Sequence, residues 1–286
     1  MFVSNQTILS HQGQKLPPML RLYLDYKKRY QDSLLFFQVG DFYELFFDDA
    51  IEASKALNLT LTSRDKNSEN PVPMCGVPVA AADSYLNRLV DKGFTVAVVK
   101  QIGDPKTSKG MVERALDRII SPGVRILSSS DKDHRENYIA AVVPGFNEYA
   151  IAFSDVRTGK IFVKEAIEPD LVCYEIMNID PSEIILPAEH AGKKVDKRLR
   201  WVREIGKTVR EGTTIKFREI SSSFHSREEK ISGYSALDEL AKKALRLLIS
   251  YVDETTAGAE IAFLEVSHDT DNGVVAIDSA TRRHLE

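Results

Sequence analysis

Two cysteines in 286 residues are too few for a disulfide framework. Cys75 and Cys173 lie far apart and belong to no CxxC spacing, so a cysteine zinc site is not indicated either. That usage fits a reducing, cytoplasmic setting, which is the expected localisation. The six histidines, His11, His134, His190, His225, His268 and His284, show no ligand spacing, and no metal site is expected. Long apolar runs are missing as well. No stretch approaches the ~20 apolar residues of a membrane span, and the N-terminus lacks the basic region and long apolar run of a signal peptide, so no membrane partner is expected. There is no GxxxxGK[ST] phosphate loop, no GxSxG elbow and no HExxH in the chain, which argues against an ATPase or hydrolase site in these residues. The chain is not expected to be an enzyme by itself.

A global basic signature is also lacking, since the formal net charge is −4. The charge is nevertheless uneven. Residues 1–127 carry 16 Lys/Arg against 14 Asp/Glu, and the remainder carries 22 against 28. Within the first part, residues 100–125 hold Lys100, Lys106, Lys109, Arg114, Arg118 and Arg125 against Asp104, Glu113 and Asp117. A local excess of this kind suits a polyanion, and it also suits an ordinary solvated face.

What is present reads as mixed α/β, with enough apolar content for two domains or one large one. An amphipathic helix carries Leu16, Met19, Leu20, Tyr23 and Leu24 with Pro17-Pro18 in its first turn. A buried strand Leu34–Val39 follows, then Gly40, then a helical pattern through Leu45, Phe46, Ala50, Ala53 and Leu57. We expect a strand Leu57–Thr62, a proline-punctuated loop Pro71–Pro78, a helix through Tyr85, Leu86, Leu89 and Val90 stopped by Gly93, and strands Phe94–Val99 and Arg114–Ile120. The polar run Ser128–Glu136 is the best linker. Beyond it the pattern predicts strands Tyr138–Val143, Tyr149–Ser154 and Ile161–Lys164, a helix after Pro169, a strand Glu183–Leu186 and a long helix near Leu237–Val252. Antiparallel strands at one edge followed by strand–helix alternation suggest a mixed sheet covered on both faces. The last residues, Ile277–Glu286, start a helical pattern without a cap or a turn, as expected for a segment cut from inside a longer protein.

The most informative residues are Gly40-Asp41-Phe42-Tyr43-Glu44-Leu45-Phe46. The pattern places Phe42 at the first turn of a helix, where unpaired N–H groups and a partial positive charge favour phosphate-bearing ligands. In one reading Asp41 caps that helix, Glu44 completes a capping-box-like pair, and Phe42 packs on a neighbouring strand. In the other, Phe42 is an aromatic wedge that enters a base step, unstacks it and kinks the duplex. Unstacking is cheapest where a pair is already defective, so a wedge discriminates damage without reading sequence. Stacking of ring on base is worth roughly 1–3 kcal/mol. Glu44 would bond the edge of the displaced base and repel the phosphates of an intact duplex. Elsewhere Asp155 and Glu183 offer an alternative chemistry, a metal-dependent nuclease of the ribonuclease-H-like kind, whose carboxylates would hold two Mg²⁺ ions. A hairpin-stabilising role for Asp155 stands beside it.

Six motifs in order, Gly40–Phe46, Pro73-Met-Cys-Gly-Val-Pro78, Gly103-Asp-Pro-Lys-Thr-Ser-Lys-Gly110, Val112-Glu-Arg114, Ser121-Pro-Gly123 and Asp278-Ser-Ala-Thr-Arg-Arg-His-Leu-Glu286, resemble the MutS family of bacterial mismatch-repair sensors. The resemblance implies a mismatch-recognition domain over 1–127, a linker over 128–136, a ribonuclease-H-like connector without nuclease activity over 137–270, and the start of a helical core or lever domain over 271–286. It implies that Phe42 stacks on the mispair and Glu44 contacts it, and that Arg64, Lys109, Arg114 and Arg118 face the DNA backbone or lie near it. It further implies mismatched double-stranded DNA as ligand, a MutL-type matchmaker docking on the connector, and a homodimer in the full-length protein. No cofactor is expected in this segment, with ATP and Mg²⁺ belonging to a domain beyond it. The chain departs from the family where Val79-Ala80-Ala81 replaces the usual Tyr-His-containing stretch and where Ser121 and Val124 replace threonines.

Overall fold

Pro17-Pro18 opens the first helix, α1 (Pro18–Arg29), with proline in the first turn, where a missing N–H leaves no bond unmade. The computed structural model describes residues 16–64, 71–102, 112–124, 136–191, 213–220, 231–256 and 266–268. Lys109 with its basic loop, most of the run 128–136 and the pattern starting at 277 lie outside the described residues. The chain divides into two compact units, 1–127 and 128–286.

In the first unit, β1 (Leu34–Val39), β2 (Phe42–Phe46), β3 (Thr62–Ser63), β4 (Pro73–Pro78), β5 (Val96–Ile102) and β6 (Glu113–Ile120) form one sheet in the order β3-β4-β2-β1-β5-β6. Only the β1–β5 pairing is parallel. Alternation along each strand sends side chains to two faces. Leu34, Phe36, Tyr43 and Leu45 join Leu57, Leu86 and Leu89 on the face packed by α2 (Phe47–Leu57) and α3 (Ala82–Asp91). Leu35, Phe37, Phe46 and Val99 join Leu20 and Tyr23 of α1 on the other face.

Three expectations are corrected here. Phe42 does not begin a helix. Gly40, at φ 59°, and Asp41 make a two-residue turn between the paired residues Val39 and Phe42, so 42–46 runs back beside β1 as a strand. Its buried Tyr43 and Leu45 alternate with outward Phe42 and Glu44, which is period two. The helix starts five residues later, and neither Asp41 nor Glu44 caps it, since Phe46 occupies the N-cap position with no side-chain cap bond. The expected strand Leu57–Thr62 is reduced to Thr62–Ser63, because α2 continues to Leu57 and ends on Asn58 in the left-handed conformation. The segment read as a loop contains β4, paired with β2 and β3. Its prolines sit at the two ends of the strand, where a missing donor is tolerated.

The junction between β2 and α2 is tied from inside. Phe47 has φ 56°, an uncommon conformation for a bulky residue. Two residues on, the buried Asp49 carboxylate accepts hydrogen bonds from the Tyr23 hydroxyl (2.7 Å), the Lys27 ammonium (2.7 Å) and the Leu35 N–H (3.1 Å). Helix α1, strand β1 and helix α2 therefore meet on one carboxylate. Removing it would leave the Lys27 charge buried and unpaired, a loss of about 3–5 kcal/mol.

The second unit holds β7 (Tyr138–Pro144), β8 (Tyr149–Asp155), β9 (Lys160–Ile167), β10 (Glu183–Pro187), β11 (Thr214–Arg218) and β12 (Val266–His268) in the order β11-β10-β7-β8-β9-β12. β7, β8 and β9 are successive antiparallel neighbours, while β10 runs parallel to both β7 and β11. This is the ribonuclease-H-like arrangement. The antiparallel strands lie in the middle of the sheet, because the unpredicted β11 and β12 supply its edges. Helix α4 (Val172–Ile179) packs on one face with Ala140, Val142, Ile151 and Phe153. The long helix α5 (Glu239–Thr255) packs against β7 and β8. Its start is capped by Asp238, whose Oδ1 accepts the Ala241 N–H at 2.7 Å, a bond worth about 1 kcal/mol.

Candidate nucleic-acid interface

The hairpin end of β1 and β2 is held from both sides. The Gly40 N–H donates to Gln101 Oε1 (3.2 Å), the Gln101 N–H donates to Gln38 Oε1 (3.0 Å), and the Val79 N–H donates to the Asp41 carbonyl (2.9 Å). The two glutamines were not singled out in the sequence, where isolated polar residues near strand ends carry no signal. On this pinned hairpin Phe42 is 48% exposed, although residues of its size and kind are usually interior.

Strand register decides which side chains share its surface. Val39 pairs with Phe42 and Phe37 with Glu44, and residues opposite one another point to the same face. Phe42 and Glu44 therefore lie on the face of α1, beyond the part that the helix covers. Glu44 Oε2 is 3.3 Å from Arg64 Nη1, and the Arg64 guanidinium sits 5.8 Å from the centre of the Phe46 ring. Arg114 approaches from β6. Its guanidinium lies 4.9 Å from the Phe37 ring centre, and it donates to the Gln38 and Val112 carbonyls at 3.2 and 2.9 Å. Burial raises the Glu44 pKa above the ordinary carboxylate value, with Arg64 and then Arg114 opposing it. Burial likewise pulls Arg114 down, opposed by Tyr26 and Glu44. Glu44 thus sits between two arginines, mostly withdrawn from solvent and more easily protonated than a free carboxylate.

Arg118 goes elsewhere. Val98 pairs with Arg118 but Val99 pairs with Leu116, so Asp117 is an extra residue in β6. A bulge of one residue reverses the alternation. Arg118 consequently faces α3, where Nη2 meets Asp83 Oδ1 at 3.0 Å, on the sheet face opposite Phe42. The structure brings together Phe42, Glu44, Arg64 and Arg114 and separates Arg118 from them. Val79–Ala81 forms a short 3₁₀ turn between β4 and α3 with no buried side chain.

The nuclease alternative loses its geometry. Asp155 pairs with Tyr138 and Glu183 with Ile139, which are successive residues of β7, so the two carboxylates point to opposite faces of the sheet and cannot share metal ions. Both are also engaged. Asp155 accepts from the Arg157 guanidinium and from the Asn137 and Arg157 N–H groups, each at 3.0 Å for the backbone bonds. Burial raises its pKa, but these bonds outweigh burial and hold it below the ordinary value. Asp155 serves its hairpin, as the other reading had it. Glu183, fully buried, meets the Lys216 ammonium and accepts from the Tyr251 hydroxyl at 3.1 Å. Burial opposes the Lys216 charge, and Glu183 with Tyr251 more than restores it, so its pKa is raised. Among the described residues no group of three or more His, Cys, Asp or Glu is placed to hold a metal ion. Among them too, no helix is long and apolar enough to cross a membrane.

The fold defines an α/β protein of two mixed-sheet units, the first presenting an aromatic and a carboxylate between arginines. Two successive family models match it, MutS domain I over residues 17–129 and MutS domain II over 137–267. Similar proteins include the DNA mismatch repair protein MutS of Desulfatibacillum aliphaticivorans, 34% identical over 95% of this chain and 31% of the relative. That of Lactococcus lactis subsp. cremoris is 37% identical over 96% of this chain and 31% of the relative. That of Staphylococcus aureus is 38% identical over 83% of this chain and 26% of the relative. The chain belongs to the MutS family. It spans about a quarter to a third of the length of these relatives.

Proposed function

We propose that this chain recognises mismatched or looped duplex DNA in mismatch repair. Phe42 inserts as a wedge at a weak base step, and Glu44 contacts the displaced base. The observation that carries the reading is a half-exposed aromatic on a pinned hairpin, sharing one sheet face with Glu44, Arg64 and Arg114. The hairpin replaces the helix start as the wedge's support, so the N–H groups of a helix end play no part. A strand tip held by three hydrogen bonds is a stiffer support, and less of the stacking gain is lost to ordering on insertion.

Arg64 and Arg114 would neutralise phosphates, and Lys109, which lies outside the described residues, would add to them. Such contacts position the protein without reading sequence, so loss of one weakens all duplexes alike. Arg118 would reach a duplex only from the other face of the sheet. The chain's similarity to DNA mismatch repair proteins supports the mismatch-repair role. ATP and Mg²⁺ would act in a domain outside these residues, which contain no phosphate loop, and homodimerisation would involve that longer protein. The chain itself would act by binding rather than by catalysis.

The deciding experiment is a titration against matched and mismatched duplexes of equal length at low and moderate salt, with the chain in its natural full-length context. Tighter binding to the mismatch that survives the higher salt supports the reading. Equal affinities at both salts would remove it.

A second reading, docking of a MutL-type matchmaker by the second unit, rests on Phe146. It is 94% exposed in the turn between β7 and β8, the kind of aromatic that anchors protein interfaces. Phe146→Ser should then weaken capture of the matchmaker and leave DNA binding unchanged.

A further inference from the structure

The surface around Glu44 has a floor. Across the β2–β4 pairing Phe42 faces Pro78, Glu44 faces Gly76, and Phe46 faces Met74. A residue opposite Glu44 ordinarily places its Cβ about 4.5–5.5 Å from that of Glu44 and fills the space beside the carboxylate. Gly76 fills nothing and is exposed. Its φ is not among the positive values, so no left-handed backbone demands glycine there. Glycine inside a strand weakens it, and marks places where another group approaches the backbone closely. A Cβ at Gly76 would lie 3.2 Å from the Tyr43 carbonyl oxygen and 3.7 Å from Glu44 Cγ. The first contact is tight and the second ordinary, so a side chain there would press on the β2 backbone at Tyr43 and lie in contact with the stem of Glu44.

We propose that Gly76 is a specificity-determining position: the side chain it lacks leaves a backbone-floored recess beside Glu44 that seats the displaced base. Phe42 and Pro78 bound the recess at the hairpin end, and Arg64, held over the Phe46 ring, bounds it at the other. A planar heteroaromatic ring lying there presents an acceptor on its edge to the Glu44 carboxyl, which donates when protonated and which burial has made easier to protonate. The inference rests on the wedge reading and adds a steric element to it. The wedge selects steps that open easily, and the recess selects what the opened base can occupy.

The test compares Gly76→Ala, Gly76→Val and Phe42→Ala in the full-length context. Each is titrated against a matched duplex and against duplexes with one extrahelical pyrimidine or one extrahelical purine. Gly76→Val should weaken both defective duplexes at least tenfold and change the matched duplex by less than twofold. Gly76→Ala should weaken the purine duplex more than the pyrimidine one, because the larger ring meets the added methyl first. If Phe42→Ala abolishes mismatch preference while both Gly76 variants keep it, the recess is overturned and the wedge stands. If Phe42→Ala keeps the preference, the wedge falls and the recess with it. An equal loss on all duplexes with a lowered Tm would make Gly76 structural and overturn the proposal. Should the valine variant fail to fold, the purine-to-pyrimidine ratio of the alanine variant decides.

Discussion

Glu44 and Glu183 are both strand carboxylates facing a cation, and they differ in what surrounds them. Glu183 is fully buried against Lys216 and Tyr251 in the second unit. Glu44 shares Arg64 at 3.3 Å in the first unit, with the arginine side chain 38% and the glutamate side chain 19% exposed. A fully buried pair that loses one member leaves an uncompensated charge in a poor solvent, whereas a pair open to solvent on one side is partly screened and loses less. The first arrangement holds a fold together. The second can exchange partners at little cost, and a recognition surface needs that. The comparison also shows why a carboxylate on a strand is weak evidence for function until its environment is known.

The largest expected effect tests the structural half. Lys216→Met should lower stability by about 3–5 kcal/mol, measured by urea unfolding. Replacing Glu183 by leucine in the same chain should recover much of the loss. A small effect of Lys216→Met alone would mean that Glu183 is no more dependent on its cation than Glu44 is. Next is Phe42→Ala, which should reduce mismatch affinity by about 1–3 kcal/mol and matched affinity much less, with Tm nearly unchanged because half the ring is already solvated. Retained mismatch preference in a competition titration would reject the wedge.

Glu44→Gln should strengthen binding to perfect duplex severalfold by removing a charge near the phosphates, and so lower discrimination. Homoduplex affinity unchanged across a salt series would show that Arg64 already cancels the charge. The smallest effects concern pH, where the two units should behave oppositely. Asp155 has a depressed pKa, so its stabilisation is present above its unfolded value and is lost as pH falls toward the folded one; Asp155→Asn should flatten the acid limb of a stability curve. Glu44 has a raised pKa, so its contribution falls as pH rises from the unfolded value through the folded one, and Glu44→Gln should remove that decline. The same sign in both variants would contradict the environments described.

Much of the fold was legible because its signals are local. The Phe-rich run of β1, the helix patterns ending near Leu57 and Gly93, and the alternating strands after 137 follow from periodicities of two and 3.6. The site was legible in composition but misplaced in geometry. Leu45, Phe46 and Ala50 satisfy helical spacing, yet Leu45 and Phe46 are strand residues, since a short apolar stretch fits either period and tertiary pairing with β1 and β4 chose between them. β4 was hidden by its terminal prolines. β11 and β12 have only five and three residues and take their order from a neighbouring strand.

The sequence by itself determined the two α/β units, the family and the residue types at the hairpin, because each depends on neighbours in the chain or on motifs in order. Tertiary structure alone decided which of those residues meet. A single bulge at Asp117 moved Arg118 from the parity it shares with Arg114 to the opposite face, since one added residue inverts every side chain beyond it. Register likewise set Glu44 opposite Gly76 and placed Asp155 and Glu183 on opposite faces. Register is a property of paired strands, and no single strand's sequence contains it.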